Sequence, residues 1–236
     1  MDVDVNRFTG SLMVMATVLG LVRQRVPLKL RILLVDDHAI VRQAIRFMLQ
    51  REGFEVVGEA SDGEQAVKMC GELQPHIAVM DLSMPLLNGI DAAREILKDC
   101  PNTRVVILTE HAHERYLAEC LHLGVKGYVL KGDTGEQLVE ALHAVSREET
   151  YVGPSLSQSN LTATASKPRV KEPLGIQERR VLQLIAEGKS TKAIGDLLDI
   201  SYKTVQSHRA NIMSKLGIRD IAGLVRYAIR SGLVQP

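Results

Sequence analysis

Five polar side chains stand at the ends of four short apolar runs. Asp36 and Asp37 follow Arg31-Ile-Leu-Leu-Val35, and Asp81 follows His76-Ile-Ala-Val-Met80. Thr109 follows Arg104-Val-Val-Ile-Leu108, and Lys131 follows Gly127-Tyr-Val-Leu130. In an open parallel sheet the carboxyl ends of the strands share one edge, and ligands bind there near the point where strand order reverses. Three carboxylates around one point repel each other and call for a hard cation. Mg²⁺ suits oxygen ligands and keeps waters that a phosphoryl oxygen can replace. Asp81 is then the candidate nucleophile toward a phosphoryl group whose charge the metal offsets. Lys131 supplies a mobile positive charge for the phosphoryl oxygens, and the Thr109 hydroxyl a hydrogen bond. Singly, each residue has a plainer reading: an Asp pair caps helices, and a lysine after a strand is solvated. Jointly, at these strand ends, they point to phosphoryl chemistry. His38 and His111 lie near the same edge and read as loop residues, not metal ligands.

The elements that must position these groups follow from the apolar pattern. The four runs, with Glu55-Val-Val-Gly-Glu59, mostly lack alternation, as expected of parallel strands buried on both faces. Helical stretches lie between them, and Asp133 with Glu136 is expected to form a capping box for the fifth. Five βα units over residues 29–150 predict a doubly wound α/β domain with a five-stranded parallel sheet. Residues 151–172 are rich in Ser, Thr and Pro without an apolar period, which predicts a flexible linker. Residues 173–236 predict a small all-α domain of four helices. The first spans Gln177–Glu187 and ends at Gly188. The second runs from the cap Ser190 to about Asp199, the third from the cap Ser201 to Gly217, and the fourth from Asp220 to about Ser231. A capped helix, a tight turn and a second capped helix make a helix-turn-helix.

On a wheel at about 100° per residue, the third of these helices gathers Val205, Ile212 and Leu216 on one face. Lys203, Gln206, Ser207, Ala210 and Ser214 lie opposite. A face of small and polar residues suits insertion into the major groove of double-stranded DNA. The Gln206 amide can pair with adenine and Ala210 can touch a thymine methyl, while Lys203, Thr204 and Lys192 are better placed for phosphates. His208 is expected at a helix–helix seam. For Arg209 a structural ion pair is as good a reading as a DNA contact.

Val35-Asp-Asp-His38, Met80-Asp-Leu-Ser-Met-Pro85 with Gly89, Leu108-Thr109 and Gly127-Tyr-Val-Leu-Lys131 together resemble the receiver domains of two-component response regulators, over roughly residues 29–147. The resemblance implies a flavodoxin-like fold, Asp81 as phosphoacceptor, and Mg²⁺ held directly by Asp37 and through water by Asp36. The backbone carbonyl of Ser83 would complete the metal shell. Thr109 and Tyr128 match the family's switch pair, with Tyr128 rotating into space that Thr109 vacates, and Lys131 matches its lysine. Gly132 stands where many receivers carry proline.

Arg179-Arg-Val-Leu-Gln-Leu-Ile-Ala-Glu-Gly188, Ile194, Ile200-Ser-Tyr-Lys-Thr-Val-Gln-Ser-His208 and Lys215-Leu-Gly217 resemble the LuxR-type helix-turn-helix of the NarL/FixJ class, over about residues 174–234. Here the chain departs from the pattern. Gln206 stands where lysine is common, and Gly175, Gln177 and Arg180 replace the usual Thr, Arg and Glu. The resemblance implies a transcription factor whose DNA binding is controlled by phosphorylation of Asp81. Its implied partners are a sensor histidine kinase, DNA and a second copy of the chain when phosphorylated, with RNA polymerase a further candidate. A phosphorylation-independent interaction module and a phosphatase are the competing readings. The intact acidic triad argues against the first, and the lack of a substrate-pocket signature against the second, so no turnover enzyme is expected.

Bulk properties agree. Residues 29–150 hold 13 Lys/Arg against 20 Asp/Glu, a net −7, and residues 173–236 hold 10 against 5, a net +5. An acidic half for cations and a basic half for polyanions fit the two readings. Aromatics are few and Trp is absent, which disfavours stacking platforms. Cys70, Cys100 and Cys120 are odd in number and lack metal-ligand spacing, so free thiols in a reducing cytoplasm are expected. The apolar run Ser11–Val22 is too short to span a bilayer. Residues 1–28 are expected to form a leader outside the fold, as an extra helix or the product of a misassigned start codon, with no membrane partner.

Overall fold

The computed structural model describes residues 29–110, 114–156, 173–231 and 233–234. The expectations for residues 1–28, for His111 and for residues 157–172 lie outside them. The first part of the chain runs β1 (Arg31–Val35), α1 (Ala39–Arg51), β2 (Glu55–Ala60), α2 (Gly63–Leu73), β3 (Ile77–Met80), α3 (Gly89–Asp99), β4 (Arg104–Thr109), α4 (Glu114–Leu123), β5 (Gly127–Leu130), α5 (Gly135–Ser146) and β6 (Tyr151–Val152).

The unalternating runs are apolar because both faces of the sheet are covered. Leu33, Val35, Ala78, Met80, Val105 and Ile107 point to one side, against Ala66 and Cys70 of α2, Ile96 of α3 and Leu117 of α4. Ile32, Leu34, Ile77, Val79, Val106 and Leu108 point to the other, against Leu49 of α1 and Leu138, Leu142 and Val145 of α5. All strand pairs are parallel, and the order is β2-β1-β3-β4-β5-β6. The order reverses between β1 and β3, so the ends of those two strands form the switch point.

Two expectations are corrected. The sheet carries one strand more than the five predicted. Tyr151–Val152, assigned to the linker, pairs with β5, where Tyr151 N–H donates to Lys126 O and Gly153 N–H to Tyr128 O, each at 2.8 Å. The open edge of β5 has backbone groups to satisfy, and the chain leaving α5 is at hand to do so. The cap of α5 is Thr134, whose N–H donates to Gln137 Oε1 at 2.8 Å, not Asp133 with Glu136. Asp133 turns away and accepts from Leu130 N–H and from Ser155 Oγ–H. The spacing of a capping box occurs at both positions, and only tertiary partners choose between them.

The second part is helical: α6 (Ile176–Ala186), α7 (Thr191–Leu198), α8 (Tyr202–Leu216) and α9 (Ile221–Ser231). Ser190 Oγ caps α7 by accepting from Ala193 N–H, and Ser201 Oγ caps α8 by accepting from Thr204 N–H. Gly217 ends α8 at φ +66°, a left-handed position that costs glycine nothing. Leu182, Ile185, Ile194, Val205, Ile212 and Leu224 close the core. All three cysteines are free and buried. Burial pushes the Cys70 thiol up to about 12 and raises Cys100 and Cys120 as well, so none is a poised nucleophile.

Candidate functional site

The carboxyl edge of the sheet brings three of the predicted groups into direct contact. Lys131 Nζ lies 2.7 Å from Asp36 Oδ2 and 2.9 Å from Asp81 Oδ2. Asp36 and Asp81 are buried, whereas Asp37 is exposed at the rim. Asp81 Oδ1 accepts from Leu82 N–H at 2.7 Å. Burial pushes the Asp81 carboxyl above its ordinary value, and Lys131 pulls against that rise. Burial lowers the Lys131 ammonium, but the hydrogen bonds and charges of Asp36 and Asp81 outweigh it and leave its pKa raised. Among the described residues, the Lys131 ammonium thus meets the two buried carboxylates, and the third, Asp37, lines the same cavity at its rim. That oxygen-rich, under-neutralised set fits a hard divalent cation such as Mg²⁺.

Thr109 is fully buried at the end of β4, and its carbonyl accepts from Lys131 N–H at 2.7 Å. Ser83 is half-buried in the β3–α3 loop and lines the cavity above Asp81. Tyr128, the other residue of the expected switch pair, lies on β5. Its ring is already inside, 1% exposed, and burial, with the nearby Cys120, Tyr116 and Asp81, holds its phenol far above its ordinary pKa. The ring thus occupies a buried position in this structure. His38 is also closer to the chemistry than expected: its Nδ1 is 2.8 Å from Asp37 Oδ1 and 3.4 Å from Asp36 Oδ1. The loop that carries Ser83 is shaped by Gly89, where a Cβ would stand 2.0 Å from the Asp81 carbonyl oxygen.

On the second domain, Lys203, Thr204, Gln206, Ser207 and Ala210 of α8 are all exposed, as is Lys192 of α7. Val205 and Ile212 are buried on the opposite side. Thr204 Oγ1 lies 2.8 Å from Ser201 Oγ, so its hydroxyl also serves the cap. His208 and Arg209 are half-buried. Tyr202 was missed by the wheel. It is exposed, and its hydroxyl accepts from Gln206 Nε2 at 3.1 Å, which orients the amide. An exposed aromatic one turn before a glutamine on the polar face was the available signal. Residues of the two domains also meet. The cavity over Asp81, about 510 Å³, is lined by Asp37, Ser83 and Lys131 on one side and by Gln183, Glu187 and Leu233 on the other.

Comparison with known proteins follows the same division. Residues 32–143 match the response regulator receiver domain, and residues 172–228 match the bacterial regulatory proteins of the luxR family. The chain is similar to the transcriptional regulatory protein DegU of Brevibacillus brevis, 32% identical over 226 residues, covering 88% of this chain and 96% of the relative. It is 35% identical to the oxygen regulatory protein NreC of Staphylococcus carnosus (strain TM300), covering 87% of this chain and 99% of that one. Among solved structures, it is similar to RcsB from Salmonella enterica serovar Typhimurium, solved bound to a promoter in the presence of a phosphomimetic. That match has a TM-score of 0.55 at 30% identity and covers 84% of this chain and 98% of the other.

Proposed function

The chain belongs to the response regulators that join a receiver domain to a LuxR-type DNA-binding domain, and on that premise we propose that phosphorylation of Asp81 controls sequence-specific DNA binding through α8. The observation that carries this reading is the buried Asp36–Lys131–Asp81 cluster at the switch point, under a cavity that opens beside Asp37 and Ser83.

A sensor histidine kinase is the expected donor. An Asp81 carboxylate oxygen attacks phosphorus, the P–O bond forms as the P–N bond to the donor imidazole breaks, and the imidazole leaves with a proton from solvent. Asp37, Asp81 and the Ser83 carbonyl would hold Mg²⁺ directly, with Asp36 behind a water. When bound, the ion neutralises phosphoryl oxygens. Lys131 follows the added charge from the carboxylates to the phosphoryl oxygens, and Thr109 donates a hydrogen bond to them. With Tyr128 already inside, the phosphoryl group stabilises a conformation the chain can reach without it, which is a population shift. The acyl phosphate is later hydrolysed, so the chain carries a phosphoryl group and does not turn over a substrate.

For DNA, Gln206 and Ala210 read base edges, and Lys192, Lys203, Thr204 and Ser207 fix the helix on the backbone. One helix-turn-helix reads a short half-site, so a phosphorylated homodimer reading two is the working form, acting on transcription with RNA polymerase in the cytoplasm. RcsB in complex with DNA, and the regulatory roles named for DegU and NreC, support the assignment. Among the described residues, no helix is long and apolar enough to cross a membrane.

The test is genomic-fragment capture by the purified chain with Mg²⁺, with and without phosphoramidate. Paired half-sites enriched with the donor, and lost in Asp81→Asn along with the acid-labile phosphate, are the expected result. Phosphate uptake that persists at the same site in Asp81→Asn overturns the assignment, and equal enrichment in both conditions overturns the control by phosphate.

A further inference from the structure

The start of α8 is set closely against α7. A Cβ at Gly195 of α7 would stand 2.8 Å from the Ile200 carbonyl oxygen, so the turn between the helices lies tight on α7. Ser201 then caps α8, with its Oγ accepting from Thr204 N–H at 3.1 Å. Tyr202 follows the cap as the first helical residue, and it is 56% exposed. Gln206 stands one turn further on, on the same side of the helix, and is exposed as well.

The hydrogen bond between these two side chains has a direction. Gln206 Nε2 donates to the Tyr202 hydroxyl oxygen at 3.1 Å. The phenol oxygen uses a lone pair in this bond and keeps its proton. The amide uses one of its two N–H groups and keeps the other together with Oε1. One donor and one acceptor are what adenine N7 and N6 require of a glutamine in the major groove. An untethered amide can turn over and offer an N–H to the O6 or N7 acceptors of guanine instead.

We propose that Tyr202 is a positioning residue for base recognition: its hydroxyl donates to a DNA phosphate, accepts from Gln206, and so holds the amide in the orientation that reads adenine. The inference rests on α8 being the DNA-reading helix. A phosphate oxygen only accepts, so it takes the single proton of the phenol and leaves lone pairs alone for the amide. Those lone pairs select Nε2 and exclude Oε1, which has no proton to give. Engagement of the backbone and choice of base thus become one event. The tether also removes rotamer freedom from Gln206 before binding, so less is lost on contact. Tyr202 adds no charge, so it contributes to selectivity and not to the release of counterions.

The experiment uses the full chain with Mg²⁺ and phosphoramidate, as the original, Tyr202→Phe, Gln206→Ala and the double variant. Binding is titrated on the captured half-site pair with each position replaced in turn by the other three bases. A bidentate glutamine–adenine contact discriminates against a wrong base by about 5- to 150-fold. The original chain is expected to prefer adenine within that range at one position of the half-site, and Gln206→Ala to lose the preference there. Tyr202→Phe keeps the ring and is expected to retain the melting temperature and the salt slope. Its preference for adenine over guanine at that same position is expected to fall by about fivefold, the effect of one hydrogen bond. In the double variant the Phe substitution is expected to add nothing to the Ala substitution. An undiminished adenine preference in Tyr202→Phe, or an affinity loss equal for all four bases, overturns the positioning role. So does a further change of preference in the double variant. Binding by all four proteins with no position altered by Gln206→Ala overturns base reading by Gln206. No binding by any of the four overturns α8 as the DNA-reading helix, and the positioning role with it.

Discussion

Residue types at the sheet edge divide the work by burial. Asp36 and Asp81 are buried and tied to Lys131, while Asp37 stays at the rim. Loss of a rim carboxylate does little to the fold, whereas loss of Lys131 leaves two buried carboxylates without their ammonium. Asp37→Asn is therefore expected to change stability by no more than about 0.5 kcal/mol without metal. The same variant is expected to lose most of the rise in melting temperature that Mg²⁺ gives the original chain, a rise that follows from binding to the folded state alone. A Mg²⁺ titration followed by circular dichroism melting checks both, and an undiminished Mg²⁺ effect removes Asp37 from the metal set.

At the scale of elements, α6 and α8 are clasped by one carboxylate. Glu178 Oε2 accepts from Gly175 N–H at 2.9 Å and from Lys215 Nζ at 2.7 Å. Gly175 lacks a capping side chain, yet Glu178 still supplies the reciprocal half of the box. Burial raises the Glu178 pKa, but Lys215, the Gly175 N–H and His208 more than offset it, so the pKa ends below its ordinary value. A depressed carboxyl contributes stability that is present above the ordinary value of 4.5 and is lost as pH falls through the lower folded value. Glu178→Gln is expected to cost about 1 kcal/mol at pH 7. The gap to the original chain should close as pH drops below 4.5, measured by urea unfolding across pH. A gap that stays constant with pH would assign the loss to packing instead. The cap residues Ser190 and Ser201 and the terminator Gly217 were legible in sequence because a cap is a local interaction. The Thr134 cap and the β6 pairing were not, because each depends on partners brought from elsewhere in the fold.

Over the whole molecule, charge is partitioned between the halves, and two lysines of the basic half are the proposed phosphate contacts. Lys192 and Lys203 are both exposed. If each neutralises one phosphate, Lys192→Ala or Lys203→Ala reduces the slope of log affinity against log salt by about 0.9. Gln206→Ala changes base preference with little effect on that slope. Binding titrations on one captured half-site pair at several salt concentrations check this, and an unchanged slope in both lysine variants moves the phosphate contacts elsewhere.

The sequence by itself determined the α/β and helix-turn-helix classes and the convergence of Asp36, Asp81, Thr109 and Lys131. Short apolar runs without alternation, set between helical stretches, fit parallel strands covered on both faces, and parallel strands deliver their ends to one edge. It also separated the buried and polar faces of α8, since helical periodicity is written locally. Tertiary structure alone decided what depends on non-local packing: Tyr128 turned inward and β6 added at the edge, whereas the contacts of His38 with Asp36 and Asp37 and of Tyr202 with Gln206 are local ones. The largest such decision is the seam where the two domains meet. Asp91 and Arg179 are 88 positions apart. No periodicity or motif spacing links such a pair, because the free energy that joins them comes from docking two separately folded cores.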